Sequence, residues 1–268
     1  MNKLIAILLL STVACFGGNK FVRGKFVNGA MPFPRPPSNG LLNNLVAYWN
    51  FNSFNGTPSS GPATIYDYGA GSFIGSGLIG GGLDMPDWGT VDLFKTTTAN
   101  IPFLLSYDYT VSVWFAPYEN RSASHYGTVF QIESQYGEDV AIALDEDNGE
   151  AKYGTLSQNN GVSGSSIAIP WFANQWNHFV LVFDYNFFEL SIYLNGDFVD
   201  VIGIGGFADY GTVADVNVLG DSYAGVYGFG SAYGKSDEIG IWQRKLTQAQ
   251  ITKLYNSGAG YPFSSFNN

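Results

Sequence analysis

Residues Ser236 to Gly260 read SDEIGIWQRKLTQAQITKLYNSGAG, a short strand, a bend and one small helix. Ile239 and Ile241 alternate with Glu238 and Trp242, the period of two that a sheet imposes. Thr247 stands where a helix cap belongs. Gln250, three residues on, completes a capping box, and Leu246 and Ile251 occupy the staple positions on either side. Ile251, Leu254 and Tyr255 then form one apolar stripe, and Gly258 supplies the stop. A helix of about ten residues does not persist alone in water. It is expected to dock on a sheet that Asp237–Trp242 closes.

Upstream, WNHFVLVFD (Trp176 to Asp184) sets His178, Val180 and Val182 on one face and Phe179, Leu181 and Phe183 on the other. Both faces are largely apolar, so the segment reads as a central strand. FFELSIYLNGDFVD follows as a hairpin turning at Asn195-Gly196. TVSVWFAP (Thr110 to Pro117), Thr128 to Glu133 and Asp139 to Leu144 are further strands, and Asn148-Gly149 is another hairpin signal. LVAYWNF, Leu45 to Phe51, is the first strand. Residues 52 to 82 read as loop-rich, with the glycines from Gly77 to Gly82 serving turns. No Lys-Ser or Lys-Thr pair follows those glycines, so a phosphate loop is not supported.

Trp176, His178 and the run Leu190 to Gly196 resemble the W-x-H-x-A … L-x-L-Y-x-N-G hairpin of the laminin-G-like, concanavalin A-like jelly-roll family. The closing strand and helix resemble that family's C-terminal signature, and the resemblance covers Leu41 to Tyr261. It implies an all-β fold: an antiparallel jelly-roll β-sandwich with one short C-terminal helix. It also implies that His178 is a hydrogen-bonded core residue. Jelly rolls of this kind often hold one structural calcium. By position Asp237 matches the family's ligand, with Asn50 or Asn52 contributing, although asparagine here replaces the more usual aspartate.

The chain has 268 residues, 46% of them hydrophobic and 16% aromatic, enough for a sizeable core. A formal net charge of −10 with only 13% charged residues opposes nucleic-acid binding. Thirty-four glycines point to many tight turns, and a single cysteine excludes an internal disulfide.

Residues 1–20 read as a hydrophobic, signal-like leader: Lys3 precedes the apolar run Leu4 to Leu10. Cys15 follows Ser-Thr-Val-Ala, which resembles a bacterial lipobox except at Thr12, so a lipidated Cys15 would attach the chain to a membrane. Residues 21–40 read as a proline-rich tether or docking arm, with Pro32, Pro34, Pro36 and Pro37 favouring extended backbone. The jelly-roll domain is expected over 41–263, with a tail at 264–268.

Glycoside hydrolysis needs two carboxylates flanking the scissile bond. The related glucanases place theirs in an E-x-D-x-E-like run, and none occurs here. Asp145, Glu146 and Asp147 fall at a turn, while Glu138 and Asp139 face oppositely if extended. The expectation is therefore a non-catalytic recognition module, extracellular or on a cell surface, binding a glycan or protein partner through sandwich loops. Tyr223, Tyr227, Phe229 and Tyr233 crowd one glycine-rich loop, and Trp88 and Trp171 lie in other loops that could join them. The alternative is a structural component of a larger assembly, such as a phage virion decoration or tail protein. Residues 1–40 would then be a docking arm.

Overall fold

The computed structural model describes residues 40–53, 56–61, 64–67, 71–86, 94–96, 107–118, 126–134, 138–145, 150–157, 161–163, 166–168, 174–203, 213–219 and 229–267. Among these the strands run in chain order as follows. β1 (Leu45–Trp49), β2 (Ile65–Asp67), β3 (Ser72–Ile74), β4 (Gly82–Met85) and β5 (Phe94–Thr96) are short. β6 (Tyr109–Pro117), β7 (Tyr126–Ser134), β8 (Glu138–Asp145) and β9 (Glu150–Ser157) are long, and β10 (Gly161–Ser163) and β11 (Ser166–Ala168) are brief. A meander follows of β12 (Asn177–Asp184), β13 (Glu189–Leu194) and β14 (Asp197–Gly203). β15 (Val213–Val218), β16 (Phe229–Ser231), β17 (Gly234–Trp242) and the helix α1 (Gln248–Tyr255) complete the order.

Two sheets result. One has the order β14-β13-β12-β6-β17-β4-β3, with β1 also on β17, and the other has the order β10-β9-β8-β7-β15-β5-β2. Side chains from both sheets interdigitate in one core. Val111, Val113, Phe115, Phe179, Leu181 and Ile239 of the first sheet meet Phe94, Phe130, Ile132, Ile142 and Val216 of the second. This is the antiparallel sandwich expected. Fully burying each such side chain contributes about 1.5–3 kcal/mol, so the alternation read in β6, β12 and β17 is what holds the layers together.

The outer face of the first sheet is also covered. Val180, Val182, Tyr48 and Trp242 pack there against Leu246, Ile251 and Leu254. The helix is built as its sequence requires: Thr247 and Gln250 make both halves of the capping box. Its end differs from expectation. Asn256 is the left-handed cap, with φ 47°, and Gly258 follows two residues later at φ 91°. Asparagine tolerates that conformation because its short polar side chain bonds locally, here to the carbonyl of Gly260 at 2.7 Å. Phe266 is buried on the same face, so packing continues past position 263.

β17 lies inside the sheet, paired with β6 on one flank and with β4 and β1 on the other. Two readings change in detail. Residues 52–82, expected to be loop-rich, also contain the three-residue strands β2 and β3. Phe229, expected in the aromatic loop, opens β16, which pairs in parallel with β7. The turn at Asn195-Gly196 is as expected: φ is 51° and 84°, as a two-residue hairpin of this hand requires. Asn148 and Gly149 lie outside the described residues, but Asp145 pairs with Glu150, so the chain reverses between them.

Candidate functional site

Ladder register brings three segments' described ends to one pole. β6 ends at Pro117, which pairs with Gly234, and Gly234 pairs on its other side with Met85. The backbone N–H of Asn174 donates to the Pro117 carbonyl at 2.6 Å. The segment carrying Trp88 therefore leaves the sheet just after Met85. The segment carrying Trp171 ends at Asn174, and the one carrying Tyr223 and Tyr227 ends at Phe229, where β16 begins beside Tyr126 of β7 and leads on to Gly234. Trp88, Trp171, Tyr223 and Tyr227 themselves lie outside the described residues, and Phe229 is described only in its backbone.

Tyr233 is described at this pole. Its ring meets Tyr118 edge-on, centroids 4.9 Å apart, and its carbonyl accepts from the Tyr118 N–H at 3.3 Å. The Tyr118 hydroxyl donates to Asp84, and Lys235 Nζ lies 5.7 Å from the Tyr118 ring centroid. Partial burial, then the Asp84 bond, pushes the Tyr118 phenol far above its ordinary value, so it stays a donor. Tyr118, Asp84 and Lys235 escaped the sequence reading because they are near only in the folded register.

A second feature arises where β17 changes partners. β4 takes residues 234–236 and β1 takes 239–242, and the β6 register slips between Asp237 and Gly240. At that junction Glu238 has φ 48°, and the two acids part to opposite sides. Asp237 faces the glycine turn: its Oδ2 accepts from the Ile79 N–H at 3.0 Å and its Oδ1 from the Glu238 N–H at 2.7 Å. Asn52 holds the same turn, its Oδ1 accepting from Gly81 N–H at 2.8 Å, while Asn50 Oδ1 accepts from Asn52 N–H at 3.3 Å. A Cβ on Gly77 would stand 2.7 Å from Asp237 Oδ2, so the backbone approaches closely only because glycine is there.

Glu238 turns to the outer face, where the Tyr48 hydroxyl donates to its Oε2 at 2.5 Å and its Oε1 has no partner among the described residues. Both acids are essentially buried, at 0% and 2% exposure. Burial, then the neighbouring Glu238 charge, pushes the Asp237 carboxyl well above its ordinary range. Burial likewise raises Glu238, against the Tyr48 bond. Among the described residues neither acid makes an ion pair, and no three His, Cys, Asp or Glu side chains cluster as metal ligands. The donors at the turn are Asp237, Asn52 and Asn50, all hard oxygens of the kind calcium takes.

Two catalytic arrangements can be weighed against this geometry. Ser112 Oγ lies 2.7 Å from His178 Nε2, a nucleophile–base spacing. However, both residues are buried, at 2% and 0% exposure, beneath Tyr255. His178 is thus the hydrogen-bonded core residue expected, and burial lowers its pKa to about 3. Glu138 and Asp145 open and close β8. Seven strand steps separate them by about 23 Å, far beyond the ~6.5–9.5 Å that inverting glycosidases use.

A family model matches residues 90–252, and the chain belongs to that family, Laminin_G_3 of the concanavalin A-like lectin/glucanases superfamily. No curated protein sequence matches it. Similar solved structures include the binding domain of botulinum neurotoxin serotype D, at TM-score 0.61 and 12% identity over 80% of this chain. The serotype G binding domain aligns at TM-score 0.59 and 14% identity over 79% of this chain. The serotype D ligand-binding domain in complex with N-acetylneuraminic acid aligns at TM-score 0.60 and 12% identity, again over 80%. The chain spans about half of each, 51%, 50% and 50% respectively. At such identities the likeness is one of fold. No helix among the described residues is long and apolar enough to cross a membrane.

Proposed function

We propose that this protein is a non-catalytic recognition module that engages a glycan or a protein surface at the Tyr118–Tyr233 pole. The observation that carries the reading is the meeting of Met85, Asn174 and Gly234 around Pro117. Trp88, Trp171, Tyr223 and Tyr227, in the segments that adjoin these positions in sequence, would add their rings to that of Tyr233, and aromatic rings with hydroxyls suit both ligand classes. The test is a glycan array and a pull-down with wild type and with Tyr233→Ala and Trp171→Ala variants. Binding that is weakened in the variants, with no reducing ends released from β-glucans, supports the module. Release of reducing ends that is abolished by Glu138→Gln or Asp145→Asn overturns it.

Calcium at the glycine turn belongs to the same proposal. Asp237 would hold the ion with Asn52, while Asn50 positions Asn52. A cation would favour the ionised Asp237 carboxylate that burial otherwise disfavours, and no described side chain supplies such a charge. Export and lipid attachment at Cys15 rest on residues 1–20. Mass spectrometry of native protein should find an N-terminus at an acylated Cys15. An intact Met1 on protein co-purifying with a capsid or tail would favour the assembly reading.

A further inference from the structure

We infer that the opposite pole carries a second, separate ligand site: an aromatic platform of Tyr107, Tyr185 and Phe187 that takes neutral sugars. β6 runs from Tyr109 to Pro117, so the platform at its start lies about 26 Å from the Tyr118–Tyr233 pole. The three rings are 57%, 42% and 70% exposed. Tyr107 and Tyr185 stack on each other with centroids 6.3 Å apart and planes 26° apart. Phe187 stands on the same four-residue turn, Tyr-Asn-Phe-Phe, that joins β12 to β13. Turns of this kind are ordinarily made from Gly, Asn, Asp, Ser and Pro, so three aromatic residues in four are not what turn chemistry asks for.

The turn is also braced. The Tyr185 N–H donates to Asp108 Oδ1 at 3.0 Å, and the Asn186 N–H donates to Asp184 Oδ1 at 3.0 Å. Lys245 bonds Asp184 and lies 3.9 Å from Asp108 Oδ2. Phe188, with φ 52°, turns back onto the core and contacts Tyr185 at 5.5 Å. One aromatic residue of the turn thus anchors it, while the others are displayed on a fixed base. A platform ordered in advance loses little freedom on binding.

Charge decides the occupant. Asp108, Asp184 and Glu189 surround the platform, and Lys245 is already engaged with the first two. Arg244 is turned away, donating to the carbonyls of Asn43 at 2.8 Å and Gly40 at 3.0 Å. Among the described residues the surface is therefore net negative, and it repels phosphates, sialylated glycans and anionic membranes. Neutral sugars suit both of its parts, because their C–H faces stack on rings and their hydroxyls donate to carboxylates.

The site stands apart from the loop pole, and the experiment keeps the two separable. The folded chain is titrated calorimetrically with cellohexaose, laminarihexaose and mannohexaose, with hexagalacturonate and phosphatidylglycerol vesicles as anionic probes. We expect at least one neutral hexasaccharide to bind. Phe187→Ala or Tyr107→Ala should weaken it about fivefold or more at an unchanged melting temperature, while Tyr233→Ala leaves it intact. No neutral binding, or binding that survives the Phe187→Ala/Tyr107→Ala double variant, overturns the platform. So does a preference for the vesicles or hexagalacturonate. Loss in Tyr233→Ala alone overturns it too, but leaves the loop pole standing.

Discussion

The ring of Tyr255 lies parallel to that of Trp114, with centroids 5.7 Å apart, and it also stacks over His178 at 6.3 Å. The last turn of the helix therefore seals the buried Ser112–His178 pair, and the residue before its cap is pinned where the Leu246 N–H donates to Thr110 Oγ1 at 3.0 Å. Thr247→Ala removes the capping side chain and should lower the unfolding free energy by about 1 kcal/mol. Urea denaturation measures it. An unchanged midpoint would mean that the cap contributes nothing to the docked helix.

His178 makes stability depend on pH. Burial holds its folded pKa near 3, while the unfolded chain titrates near 6.5. Below about 6.5 the unfolded state binds a proton that the folded state refuses. Stability is therefore full above 6.5 and falls as pH drops toward 3, by at most about 1.4 kcal/mol per unit. Glu238, raised by burial from 4.5 to about 7, acts with the opposite sign between those values. The histidine is isolated by comparing wild type with His178→Gln at pH 7.5 and pH 5. The variant should lose less stability on acidification, and equal losses in both would refute this account.

Tyr48→Phe deletes the only side-chain bond that the buried Glu238 carboxyl makes among the described residues. A hydrogen bond to a charged group contributes about 1.5–3 kcal/mol. The variant should lose that amount near pH 8 and less near pH 5, where Glu238 is protonated. A loss independent of pH would instead implicate ring packing.

Calcium should raise the melting temperature of wild type relative to EDTA. At a hundredfold excess over the dissociation constant, a ligand confined to the folded state adds about 2.7 kcal/mol. Asp237→Asn should abolish the difference. Identical melting of wild type in both buffers would exclude the site.

Much of this fold was legible because local rules and packing agree. The alternation in Asn177–Asp184 survives intact, Phe179 and Leu181 in the core and Val180 and Val182 under the helix. The cap was legible because Thr247 and Gln250 are neighbours in sequence. What the sequence withheld is long-range. Nothing local says that β17 is shared between β1 and β4, nor that Asp84, Tyr118 and Tyr233 meet. β2 and β3 were missed because each has only three residues, too few to display a period. The platform had one local sign, the run Tyr185 to Phe188, which reads as a strand approach until the turn is known.

The pairing of β1 with β17 has a mechanical meaning. Leu45 pairs with Trp242, and the Trp242 indole donates to the Leu41 carbonyl at 2.6 Å, so the chain enters the domain beside the place where β17 ends. A pull applied between residues 40 and 242 would open that ladder like a zipper, one bond after another. A pull between residue 40 and the Tyr118–Tyr233 pole would load the same bonds in parallel, along the strand axis. A partner held at the far pole, with the domain tethered through Gly40, would therefore draw the chain along its stronger direction.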